Sequence, residues 1–327
     1  MAKVEKVSRM QQTGMIVQRF IVVGALIVLF IVFAATTPRF FTLQNILTIA
    51  LQTSTLAFMG IGVTYVIITA GIDLSIGSVL ALSGVVAGLT TRAGFPIWIA
   101  FSLGLLMGTG CGVVNGLMVT RLDLPPFIAT LGMMQIARGI ALQISGARAV
   151  AGLPQTFGIL GNGVLFRTAT FPGIPYPVLI MIAVAMLFSF ILRRHRVGRF
   201  IYAVGSNEEA ARLSGINVSR TKVIAYTISG ALAGLTGIVV MSRIVTAQPN
   251  AGVAYELDAI ATAVIGGTSL MGGSGTISGT MIGAFIVGVL RNGLNMQGVS
   301  YFIQQIVIGL VIVAAVTADR LRKRGGK

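Results

Sequence analysis

Few residues in this chain can do chemistry, and their scarcity is informative. The sequence holds eight acidic residues against 24 Lys and Arg, with one His and one Cys. Three acids, Asp73, Glu256 and Asp258, stand beside long apolar runs. A charge at the centre of a bilayer costs at least ~2.5–3.5 kcal/mol, so an acid there is functional or is held by a partner. Both readings stay open. Asp73 and Asp258 sit where short apolar runs begin, so their carboxylates can cap free backbone N–H groups, or they can contact a solute or ion in transit. Arg138 and Arg291 lie in or at the edge of apolar runs and can pair with an acid or reach the interface. Ser75, Thr130, Gln135, Asn115 and Asn292 offer uncharged donors and acceptors. These suit a neutral polyol, or hydrogen bonds between helices. His195 lies in a basic stretch and reads as solvated rather than as a proton relay.

Other chemistry is excluded by what is missing. A phosphate-binding loop needs a Gly-rich turn followed by Lys and Ser or Thr. Residues 266–280, GGTSLMGGSGTISGT, are Gly-rich but contain no Lys. No ATP hydrolysis is expected of this chain alone. An intramembrane transferase needs clustered acids for Mg²⁺, whereas Asp73, Asp123, Asp258 and Asp319 are scattered. The lone Cys111 forbids an intrachain disulfide and a paired-Cys metal site, and no metal site is expected.

The elements that must position these residues are membrane helices. The chain is 55% hydrophobic and 10% charged, too apolar to cover a soluble surface. A span needs about 20 apolar residues. Ten candidates fall near residues 17–35, 51–70, 75–90, 95–119, 125–144, 176–192, 223–245, 257–271, 275–293 and 302–318. The third and eighth are short and read as broken helices. The first run is long enough to span and lacks a cleavage site, so no cleavable signal is expected. The formal charge of +16 sits at the ends of apolar runs, which argues against a nucleic-acid surface.

Lys and Arg mark the cytoplasmic side. They cluster in an N-terminal tail 1–16, in segment 193–222 and in a C-terminal tail 319–327. Ten spans place all three on one side, so both termini are expected in the cytoplasm of a bacterial inner membrane. A single permease domain, 17–318, lies between the tails. The Pro-bearing segment 145–175 falls outside, as a passive connector or as a seat for an external partner.

The two halves echo each other. Asp73 and Asp258 each precede a short apolar run. A glycine stripe follows in each half, Gly104, Gly108, Gly112 and Gly116 in the first and Gly275, Gly279 and Gly283 in the second. Such stripes pack helices closely. Asn-Gly-Leu comes next, at Asn115 and Asn292, then Phe127–Ile128 and Phe302–Ile303. The parity of spans makes this repeat inverted, an arrangement found in transporters.

Segment 193–222 is the most informative polar stretch. Ser206 and Glu209 have capping-box spacing, a helix is predicted over 208–214, and Gly215 sits where a left-handed cap belongs. Here the chain resembles a known family. Glu209-Ala210-Ala211, three residues, then Gly215 is similar to the cytoplasmic coupling motif of ABC importer permeases. ITAGIDLSIGSVLALSG, PPFIATLGMMQIARGI and AYELDAIATAVIGGTSLMGGSGTISGTMIGA resemble the branch that imports ribose, xylose, arabinose and galactose. Ribose permeases are the nearest of these, and the likeness covers residues 20–318.

The resemblance implies a permease subunit of an ATP-driven monosaccharide importer, with two permease chains, identical or paralogous, forming the pore. It implies two ATP-binding subunits that hold ATP and Mg, and a soluble sugar-binding protein outside that carries most of the selectivity. It assigns docking on the ATPase to Glu208, Glu209, Ala210, Ala211 and Gly215. Asp73, Ser75, Asn115, Glu256, Asp258 and Asn292 are its candidates for the pathway. A permease for branched-chain amino acids or nucleosides is the near alternative. A proton-coupled secondary transporter is the distant one, against which the scarcity of membrane acids argues.

Overall fold

The computed structural model describes residues 22–325. The N-terminal tail 1–16, residues 17–21 of the first expected span and residues 326–327 of the basic tail lie outside the described residues. The described chain is almost wholly helical. Its ten apolar helices are α1 (Val22–Thr36), α2 (Leu43–Ile68), α3 (Ile76–Arg92), α4 (Ile97–Arg121), α5 (Pro126–Ser145), α7 (Tyr176–Arg194), α10 (Val218–Ile244), α11 (Tyr255–Ile265), α12 (Ile277–Met296) and α13 (Tyr301–Gly325). They fall on the ten expected spans. Between α5 and α7 lie a 3-10 turn (Gln155–Gly158), the short α6 (Ile159–Asn162) and a two-residue hairpin. Its strands β1 (Val164–Leu165) and β2 (Ile174–Pro175) pair antiparallel. Between α7 and α10 lie α8 (Arg196–Ser206) and α9 (Glu208–Leu213).

Contacts between helix ends fix the directions. At one end, Arg193 of α7 donates to Ser278 of α12, Tyr202 of α8 donates to Gly275, and Gly273 donates to Ile68 of α2. At the other end, Ala247 after α10 pairs with Val150 after α5, and Gln297 after α12 donates to Thr36 and Thr37. Successive apolar helices therefore alternate in direction, and α3 and α11 run opposite ways. This is the inverted arrangement that the repeat implied.

α2, α10 and α12 bury most of their residues, while α4, α5, α7 and α13 turn Leu106, Ile136, Phe190 and Leu310 outward. Large apolar side chains around the rim, with polar contacts inside, suit lipid as the outer solvent. The fold is that of a multi-pass helical membrane protein.

Several boundaries differ from the sequence expectation. α10 begins at Val218 rather than near 223, and α13 continues to Gly325 rather than ending near 318, so residues 319–325 of the expected tail are helical. α2 begins at Leu43 rather than near 51, because the Thr42 side chain caps it by accepting from the Asn45 N–H at 3.3 Å. α11 stops at Ile265 rather than near 271, because Gly266-Gly267 ends it with Gly267 at φ 89°. Gly275 therefore lies in the loop before α12 and is not on a helical stripe. Lastly, segment 193–222 holds two helices rather than one. α8 has three buried residues, Gly198, Ile201 and Val204, and its basic composition hid that face.

Candidate functional site

Two features gather the polar residues: the α8–α9 lever at one end of the bundle, and the junction where α3 and α11 begin inside it.

The lever is built from caps. His195 opens α8, its Nδ1 accepting from the Val197 N–H at 3.3 Å; the imidazole is a cap and not merely a solvated group. α9 is capped by Asn207, whose Oδ1 accepts from the Ala210 N–H at 2.9 Å. The cap is thus one residue after the expected Ser206, which ends α8. Gly215 adopts φ 81° and its N–H donates to the Arg212 carbonyl at 3.0 Å. That left-handed turn closes the helix as expected. Asn217 then caps α10, accepting from the Arg220 N–H at 2.8 Å. A Glu208 carboxylate oxygen accepts from Lys222 Nζ at 2.6 Å, tying α9 to α10. Ala211 is buried against Val204 and Val218, so it packs inward. Glu209 and Ala210 are exposed. Beside them Leu213 is 84% exposed, an apolar side chain on a polar end of the protein that sequence reasoning did not single out.

The lever touches the bundle through glycine. A methyl group at Gly205 would overlap the Ile68 carbonyl and stand 2.7 Å from the Gly273 nitrogen. Gly273 itself, at φ 72°, donates to that carbonyl at 2.9 Å. The Tyr202 hydroxyl donates to Gly275 O at 2.6 Å. α8 therefore rests on the end of α2 and on the loop between α11 and α12. The first leads directly into the junction where α3 begins, and the second joins the far end of α11 to α12.

At the first junction Asp73 is fully buried. Its Oδ1 accepts from Ser75 N–H at 3.0 Å and Ser75 Oγ at 2.7 Å, and its Oδ2 accepts from Ser229 Oγ of α10 at 2.7 Å. Ser75 Oγ in turn accepts from Asn115 Nδ2 of α4 at 2.8 Å. The Tyr226 hydroxyl donates to Ile72 O at 3.3 Å. Three of the six pathway candidates, Asp73, Ser75 and Asn115, thus share one buried network whose carboxylate is satisfied by protein donors. Ser229 and Tyr226 complete it. Neither carried a sequence signal beyond being polar within an apolar run.

The start of α11 meets the start of α3. Gly252, at φ 73°, lies backbone to backbone on Gly77, and a methyl group at Gly77 would stand 2.7 Å from Glu256 Oε2. Arg138 of α5 donates to Pro249 O, and to Ala251 O at 2.9 Å, bracing the segment before α11. Asp258 lies inside α11 rather than before it. Both its oxygens accept from Arg291 Nη2 of α12 at 2.7 Å, the pairing that a buried carboxylate demands. Asn292 stands apart from this cluster and accepts from Asn45 of α2 at 3.0 Å. Thr130 donates to its own helix at Pro126 O, 2.9 Å away, and Gln135 is exposed.

The glycines lie at close approaches. Methyl groups at Gly108 and Gly116 would come within 2.7 Å of Gly234 Cα and Val223 Cα of α10. One at Gly112 would overlap the Tyr226 carbonyl, and one at Gly104 would stand 2.7 Å from Ser83 O of α3. Gly230 and Gly234 of α10 meet the first stripe from the other side; their spacing of four was visible in the sequence. Gly279 faces Gly266, just past the end of α11, Gly283 faces Thr262 of α11, and Gly275 packs on Thr268.

Residues 45–316 match the family described as the branched-chain amino acid transport system / permease component. The chain is 46% identical to the ribose import permease protein of Haemophilus influenzae, over 90% of this chain and 91% of that one. It is 45% identical to the ribose import permease protein of Escherichia coli K12, over 91% and 92%, and 42% identical to the D-allose transport system permease protein of the same strain, over 89% and 88%. No solved structure matches it. The chain thus belongs to the branched-chain amino acid transport system / permease component family.

Proposed function

We propose that this chain is the membrane-spanning subunit of an ATP-driven importer of a monosaccharide, ribose or a related sugar. The observation that carries the reading is likeness along nearly the full length to permeases named for ribose import and D-allose transport. The family's description names branched-chain amino acids, but those relatives argue for a sugar. Energy comes from a separate ATP-binding subunit that holds ATP and Mg. A soluble binding protein delivers sugar on the side opposite α9, and a second permease chain completes the pore. The bundle lies in a bacterial inner membrane with α8, α9 and both termini in the cytoplasm, as the Arg-rich end of α7 favours.

In this reading α9 docks on the ATPase through Glu209, Ala210 and Leu213. Glu208 and Gly215 shape the helix, and Ala211 seats it. ATP-driven closure pushes α8 against Ile68 and Gly273 and so shifts the α2–α3 and α11–α12 junctions. Asp73, Ser75 and Asn115 hold the first junction rigid, Asn292 anchors α12 to α2, and Glu256 and Asp258 stand nearest the passage. The test is Glu209→Lys, with Leu213→Lys beside it. Each variant is expected to be a membrane-inserted, folded permease that no longer co-purifies with its ATPase and no longer supports uptake. Uptake that survives both changes refutes the docking assignment.

A further inference from the structure

A cavity of about 460 Å³ lies among α2, α10, α11, α12 and α13. It falls within the roughly 300–1,000 Å³ range of small-molecule sites. Its mouth is at the end away from α9, where Arg243 nears the end of α10, Asn295 nears the end of α12, and Tyr301 opens α13. Deeper in are Tyr255, the first residue of α11, and Arg291, paired with Asp258. Its wall is partly apolar but carries many polar side chains for the interior of a membrane bundle. The side chains of Gln52, Thr55, Arg243, Tyr255 and Asn295 have no hydrogen bond or ion pair to protein among the described residues. Polar groups at membrane depth are tolerated where they face a water-filled cavity or a polar ligand.

The chemistry of this wall selects the ligand. Two amides, a hydroxyl, a phenol and a guanidinium supply donors and acceptors from several directions. The rings of Tyr255 and Tyr301 add apolar faces for C–H groups. Asp258 neutralises Arg291, which leaves Arg243 as the uncompensated charge, at the mouth and not at the floor. A phosphate asks for converging cations, whereas a neutral polyol asks for many uncharged partners. We propose that this cavity is a weak monosaccharide-binding station inside a single permease chain, where sugar released by the binding protein rests before it passes the α3–α11 junction. The inference rests on the importer reading and adds to it a site of binding.

The test uses the assembled transporter in vesicles and a cysteine at the mouth. Cys111 is the sole native cysteine of this chain and is buried, so within this chain, followed as its own band, Asn295→Cys reports alone to a membrane-impermeant maleimide. Tyr301→Cys is the second reporter if the first does not assemble. Labelling is expected to slow several-fold, saturably, as D-ribose is raised, and to ignore betaine at equal osmolarity. Adding Gln52→Leu removes one hydrogen bond and is expected to raise the ribose concentration for half-protection about two- to tenfold. Labelling indifferent to ribose, in a transporter that takes up sugar with ATP, overturns the cavity and leaves the importer reading standing. Labelling slowed by phosphatidylglycerol in the vesicles and not by ribose makes the cavity a lipid-headgroup seat and also overturns the proposal. Loss of the importer reading shows separately, as no ATP-driven uptake of any neutral sugar by the wild-type assembly.

Discussion

Replacing Gly205 by alanine tests whether α8 is the rod that drives the bundle. A methyl group at this position would overlap the Ile68 carbonyl oxygen and stand 2.7 Å from Gly273 N. Unstrained contact between non-bonded heavy atoms begins near about 3.5 Å, so α8 must retreat by roughly an ångström or more. Both clashing atoms are backbone, which no rotamer change can move aside. Overpacking of this kind costs about 1–3 kcal/mol. If that energy falls on the contact between lever and junction, the coupling between ATP hydrolysis and transport weakens by roughly 5–150-fold. The assay is sugar accumulated per ATP hydrolysed in reconstituted vesicles, with binding-protein-stimulated ATPase activity measured alongside. Gly205→Ala is expected to keep basal hydrolysis while accumulation per ATP falls at least about fivefold. Gly110→Ala is the control. It lies on α4 with nothing within 4 Å of the added methyl, and it is expected to behave as wild type. Transport and hydrolysis falling by one common factor in Gly205→Ala would mean lost assembly, and unchanged coupling would mean that α8 transmits nothing here. Either result would count against α8 as the rod.

Other perturbations probe the remaining contacts. Arg291→Met strands the Asp258 carboxylate and should destabilise the fold by about 3–5 kcal/mol, whereas the double change with Asp258→Leu should recover much of that; thermal melts in detergent separate the two. Asn207→Ala removes the cap of α9 and should cost about 1 kcal/mol of local stability, with Ser206→Ala near neutral; hydrogen exchange over residues 208–213 reads the difference. Asp73→Ala leaves the Ser229 hydroxyl and the Ser75 N–H and hydroxyl without their acceptor at about 1–3 kcal/mol per orphaned group, so its melting point should fall well below that of Asp73→Asn, which keeps an acceptor oxygen.

Much of the fold could be read from the chain because lipid imposes simple demands. Length and hydropathy located the apolar helices, and the parity of spans implied the inverted order that the helix directions show, although Asp258, Gly275 and Asn292 do not sit as their supposed counterparts do. Local turn chemistry was also legible where a residue type is forced, as at Gly215. What could not be read depends on side chains meeting across distant segments. Nothing near Ser229 says that it answers Asp73, 156 residues away. Nothing in a basic run such as RRHRVGRF announces that α8 buries Ile201 and Val204. Ser206 and Asn207 are both good caps by type, and only the backbone decides between them. Asp258 looked like a cap from its place beside an apolar run. Its pairing with Arg291 emerges only once α11 and α12 lie side by side.

In the proposed function, ATP spent on a partner subunit drives a sugar through this chain. The most direct measurement is uptake of labelled ribose, then other pentoses and hexoses, into liposomes holding this permease with its ATPase and its binding protein. Accumulation is expected to need ATP on the α9 side, to need the binding protein on the other, and to persist when a protonophore collapses the pH gradient. Accumulation by the permease alone, driven by a pH gradient and indifferent to ATP, would contradict it and turn attention to Asp73 and Asp258 as proton-carrying groups.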